Sequence, residues 1–110
     1  MTYNDILINL YKSITTDRDL KPGQFFQISG SMMLEGKIKA AVYSDDHGTH
    51  FHVLYSPDSI DAKFLWPSLE LEKYKSRAEF SPKQVRNIQI MCRNPEVQEF
   101  LQREFDKRAA

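Results

Sequence analysis

Three features of this chain predict an α+β fold. An amphipathic helical pattern stands near the start, a block of two-residue alternation broken by polar turns fills the middle, and two well-punctuated helical patterns close the chain. Helices that precede and follow the strands, rather than alternate with them, predict a small, mainly antiparallel sheet of three to five strands. The N-terminal helix and two C-terminal helices are expected to pack on one of its faces. At 110 residues, with 41% hydrophobic and 12% aromatic residues, the chain suits a single domain with one core. Residues 1–36 read as a helix-and-strand extension, and residues 37–110 as a βββαα region.

The first helix is expected over Asn4–Thr15. Tyr3, Leu7, Leu10 and Ile14 recur at helical spacing, and Ile6 and Tyr11 widen the stripe. The poor helix formers from Thr15 to Asp19 end it, and Lys21-Pro22-Gly23 signals a turn. Gln24–Ser29 is β-prone, Gly30-Ser31 breaks it, and Met32-Met33-Leu34 is a short apolar run. Lys37–Tyr43 alternates, with Ile38, Ala40 and Val42 on one face. Ser44–Gly48 reads as the polar turn of a hairpin, followed by the strand His50–Tyr55. Ser56–Ser59 turns the chain again. Ile60–Trp66 places Ile60, Ala62, Phe64 and Trp66 on one face, and Pro67 disrupts it. Ser68–Tyr74 is a last extended piece at an edge, where Lys73, Lys75 and Arg77 discourage sheet-to-sheet aggregation.

Helix punctuation is clearest at the C-terminal end. Ser81 is placed as an N-cap, Pro82 at the first helical position, and Gln84 closes a capping box, with Phe80 and Val85 as a staple. Val85, Ile88 and Cys92 or Met91 make the inner stripe. Asn94-Pro95 stops this helix and caps another, whose apolar face is Val97, Phe100, Leu101 and Phe105. Glu99 and Arg103 form an i,i+4 pair, and the tail Asp106–Ala110 is expected to fray. Cys92, the only cysteine, cannot form an internal disulfide and reads as a buried, inert thiol.

Fifteen basic residues balance fifteen acidic ones. Zero net charge removes global steering toward nucleic acid or an anionic membrane, and leaves self-association or a protein partner open. No apolar run approaches the ~18 residues of a membrane span. The start Met1–Asp5 lacks the basic region of a secretory signal. These features point to a cytoplasmic protein.

All three histidines fall within Asp45-Asp46-His47-Gly48-Thr49-His50-Phe51-His52-Val53. Histidine exchanges its proton near neutrality and is the commonest metal ligand, so this turn and strand start are the candidate site. Alternation puts His50, His52 and Leu54 on one face and Phe51, Val53 and Tyr55 on the other. The second set is the natural core face, so the imidazoles are expected to look away from the helices on an open face. His47 sits in the preceding turn, and Asp45 and Asp46 are near enough to orient a histidine.

Three chemistries suit this constellation. One is a divalent transition-metal site (Zn, Mn, Ni or Fe) on His47, His50 and His52. Another is metal-free acid–base catalysis on a phosphodiester, with His50 and His52 as the pair and His47 and Asp46 assisting. Lys63, Lys39 or Lys37 would then steady the phosphate. The third is a pH- or partner-sensitive interface. Against all three stands a merely solvated pair of imidazoles. Trp66 is placed either in the core or as an aromatic that stacks on a ligand.

The run Asp46-His47-Gly48-Thr49-His50-Phe51-His52-Val53 resembles the signature of a small bacterial family, domain of unknown function 4160, whose motif reads approximately D-H-x-P-P-H-x-H-V. Asp61-Ala62-Lys63-Phe64-Leu65-Trp66-Pro67 is similar to the family's A-K-F-W-L-x-P strand, and Phe80-Ser81-Pro82-Lys83-Gln84 to its F-S-x-K-E helix start. The likeness spans about Ile38 to Phe105, and Gly48-Thr49 replaces the family's two prolines. It implies a small α+β domain from bacteria or their mobile elements, phage included, in a toxin–antitoxin-like gene arrangement with a cognate small protein nearby. The motif residues that carry over are Asp46, His47, His50 and His52, and more loosely Lys63, Trp66 and Pro67. The expected function is therefore a toxin-like phosphodiesterase acting on RNA, or alternatively a non-catalytic regulator or inhibitor that binds a protein through the open sheet face or the first helix.

Overall fold

A computed structural model describes residues 2–24, 26, 34, 36–45 and 48–109. Helix α1 (Tyr3–Thr15) is followed by strands β1 (Ile38–Asp45), β2 (Gly48–Tyr55), β3 (Ile60–Leu65) and β4 (Leu71–Tyr74), then helices α2 (Pro82–Cys92) and α3 (Pro95–Ala109). The strands form one antiparallel sheet in chain order, β1-β2-β3-β4. This is the expected α+β architecture.

Local chemistry explains the boundaries. Thr2 caps α1 in a reciprocal box with Asp5, and Ser81 caps α2 in the same way with Gln84. Asn94 Oδ1 accepts from the Glu96 N–H at the start of α3. The core face of the sheet is Ile38 and Val42 from β1, Phe51, Val53 and Tyr55 from β2, and Ile60, Ala62 and Phe64 from β3, all buried. It meets Ile6, Leu10 and Ile14 of α1, Ile88 and Met91 of α2, and Val97, Leu101 and Phe105 of α3 in one cluster. No helix among the described residues is long and apolar enough to cross a membrane.

Several boundaries differ from the sequence pattern. The β1–β2 hairpin stays paired to Asp45↔Gly48, so the strands run into the expected five-residue turn. Backbone pairing does not depend on side-chain polarity, and alternation therefore misses the polar end of a strand. β4 is shorter than Ser68–Tyr74, because Leu69 adopts φ 66° with its side chain buried, a left-handed turn conformation. The tail does not fray at Asp106, and α3 remains helical to Ala109. The strand expected at Gln24–Ser29 and the apolar run Met32–Leu34 lie mostly outside the described residues; Gln24, Phe26 and Leu34 are not in strands.

Two buried asparagines fasten the extension to the core. Asn87 of α2 accepts from the Leu20 N–H (3.0 Å) and donates to the carbonyls of Ser13 (3.3 Å) and Arg18 (2.9 Å). Asn9 of α1 donates to the Asp5 carbonyl and accepts from the Phe26 N–H. Cys92 is buried, and burial pushes its thiol up to about 12. An aromatic disulfide reagent should therefore leave it untouched in the native protein and titrate one thiol after denaturation. Rapid native labelling would contradict the buried placement.

Candidate acid–base site on the outer face of the sheet

β2 builds the site by alternation. With Phe51 and Val53 turned into the core, His50 and His52 take the opposite face, where their ring centroids lie 5.4 Å apart in an edge-on arrangement. The expected pairing of the two rings holds. The expected solvation does not, for His50 is only 6% exposed and His52 5%. Buried imidazoles are polar groups that need partners. His52 Nδ1 lies 2.8 Å from Asp61 Oδ1. A carboxylate only accepts, so Nδ1 carries a proton, and Nε2 lies at the far side of the ring.

Register explains why Asp61 is there. His52 stands opposite Lys63, and Leu54 opposite Asp61, so Asp61 is the diagonal neighbour of His52 on the same face. Lys63, 9% exposed, bonds Glu72 at 3.0 Å. Glu72 can reach it because β3–β4 pairing slips between Lys63 and Phe64: Lys63 pairs with Lys73 and Phe64 with Leu71, leaving Glu72 as the extra residue of a bulge. The site is thus a partly exposed carboxylate and two buried imidazoles beside a buried ammonium with a more exposed carboxylate partner.

The Lys63 hydrogen bond holds the Glu72 carboxyl below the usual glutamate range. The charges of Lys63, Lys73 and His50 act in the same direction, against partial desolvation. A depressed folded-state pKa means that the ionised pair stabilises fully above the unfolded glutamate range and stops doing so as pH falls through the folded value. Glu72→Gln should accordingly flatten the acid side of the melting temperature–pH curve, measured by circular dichroism. A slope identical to that of the parent chain would show that the pair contributes nothing.

His47 and Asp46 lie outside the described residues. Asp45 ends β1 opposite Gly48, and among the described side chains Asp61 is a carboxylate bonded to a histidine. Lys39 is exposed and pairs with Leu54, which makes it a diagonal neighbour of His52 on the same face, across β2 from Asp61, while Lys37 precedes β1. Trp66 is on the helix side of the sheet, stacked on Phe105 at 5.3 Å with its Nε1–H donated to Gln102, and it cannot stack on a ligand at the imidazoles. The strand pattern that aligned it with Phe64 favoured this outcome. Among the described residues no group of three His, Cys, Asp or Glu side chains converges as a metal set. Sequence reasoning missed Asp61 and Glu72; the spacing Asp61-x-Lys63 on one strand face was the available signal for the first. No family model, curated protein or solved structure significantly matches this chain.

Proposed function

We propose that this protein is a metal-independent phosphodiesterase acting on RNA in the cytoplasm, in a toxin-like setting with a cognate small protein. The observation that carries the reading is the 2.8 Å contact of His52 Nδ1 with Asp61, with the His50 ring 5.4 Å away. His52 Nε2 takes the proton of a ribose 2′-hydroxyl, and the resulting imidazolium is stabilised by Asp61. The 2′-oxygen attacks phosphorus, the bond to the 5′-oxygen breaks, and His50 gives that oxygen its proton. Lys63, itself largely buried, steadies the phosphorane charge, and reduced contact with solvent strengthens its effect. Glu72 marks where Lys63 holds an anionic oxygen, and as the more exposed partner it yields that place to the phosphate. The likeness of Asp46–Val53 to domain of unknown function 4160 supports the toxin–antitoxin-like setting.

The test is cleavage of a synthetic RNA in excess chelator. The expected products carry cyclic phosphate ends, and the His50→Gln/His52→Gln double variant produces none. Equal cleavage by the folded double variant would remove the reading, as would activity that needs an added divalent metal.

A further inference from the structure

The structure also points to an interface at the other side of the sheet, independent of the imidazoles. Among the described residues β1 is an edge strand, with β2 as its strand neighbour. Its outward ladder positions are the even-numbered ones. At Ala40 both outward groups are taken by one side chain: the Tyr3 hydroxyl accepts from the Ala40 N–H (3.2 Å) and donates to the Ala40 carbonyl (2.8 Å). A hydroxyl in this position imitates one residue of a neighbouring strand. Tyr3, 41% exposed, is also the one exposed large hydrophobic side chain among the described residues. It stacks on Phe100 at 6.1 Å, beside a groove of about 310 Å³ whose walls include Ile6, Val42, Phe100 and Leu101. Ladder edge, groove and exposed ring form one continuous strip.

We propose that this strip is a homodimer interface, in which β1 of one copy adds antiparallel to β1 of a second copy and displaces the Tyr3 hydroxyl from Ala40. An open ladder edge recognises an extended backbone, and charge pattern makes this strand its own complement. With the two-fold axis at Ala41, Ala40 pairs with Val42 of the second copy and Lys37 stands opposite Asp45. With the axis at Val42, Ala40 pairs with Ser44 and Lys39 stands opposite Asp45. Either register matches a lysine position with an aspartate position at both ends, and neither sets like charges opposite one another. A two-fold axis normal to the sheet keeps the helices of both copies on the same side, so the Tyr3–Phe100 strips of the two copies meet. Zero net charge adds no long-range repulsion between them.

Sedimentation velocity of the full chain over a range of concentrations tests this. The chain should dimerise, and Tyr3→Phe should tighten the dimer about tenfold, because the ring stays and the competitor for Ala40 is gone. Asp45→Lys should weaken it about tenfold, and adding either Lys37→Asp or Lys39→Asp should restore it; which lysine rescues identifies the register. Circular dichroism and melting temperature confirm that each variant is folded. A chain that stays monomeric in both parent and Tyr3→Phe forms would overturn the proposal, and so would a dimer that neither lysine replacement rescues. Loss of RNA cleavage in the imidazole variants leaves these results unaffected, so the two readings fail separately.

Discussion

His52→Gln is expected to lower RNA cleavage by about 10²–10⁴-fold, the usual contribution of a positioned general base. Glutamine keeps a polar side chain in a position only 5% exposed, so the loss reports chemistry rather than collapse. Alanine would be a poorer test, because it leaves Asp61 without its 2.8 Å partner in a largely buried site. Asp61→Asn should reduce the rate by a comparable factor while KM changes little, since asparagine can offer Nδ1 a donor and push the ring into the wrong tautomer. His50→Gln should also be severe, and its pH–rate profile should lose the limb that belongs to the acid. If His52→Gln and Asp61→Asn each retain parental rates with the fold intact, the dyad is only structural.

Asn87→Ala should be the most destabilising conservative-sized change away from the site. It orphans two buried backbone groups, the Leu20 N–H and the Ser13 carbonyl, and the part-buried carbonyl of Arg18. Each unsatisfied buried group costs about 1–3 kcal/mol, so a loss of about 3 kcal/mol or more is expected. For a domain of this size that lowers the melting temperature by about 10–20 °C. Asn87→Asp should be worse, because a carboxylate would face two carbonyls with no donor to offer them. Chemical denaturation provides the check. A change below about 0.5 kcal/mol, the level of an ordinary surface substitution, would mean that the α1–α2 tether is not under load.

Much of this molecule was legible one residue at a time. The helix starts at Ser81 and Asn94 follow from side chains that satisfy nearby backbone N–H groups, a local matter. The core faces of β2 and β3 follow from alternation, because a strand has no other way to hide Phe51, Val53, Ala62 and Phe64. Local pattern also paired His50 with His52 and separated them from the helices. The polar ends of β1 and β2 were not legible, because pairing there rests on the partner backbone.

What the sequence determined by itself was therefore the order of the elements, the face each strand buries and the concentration of imidazole on one strand. Only the tertiary structure decided which groups that imidazole meets. Asp61 reaches His52 through the β2–β3 register, Glu72 reaches Lys63 through a bulge, and Asn87 holds Leu20 across 67 residues of chain. Tyr3 guards Ala40 only because α1 packs beside the edge of β1. Periodicity is a property of neighbours within an element. Register, bulges and helix docking are set by the packing of whole faces against one another, so a contact between distant residues leaves no period in the chain.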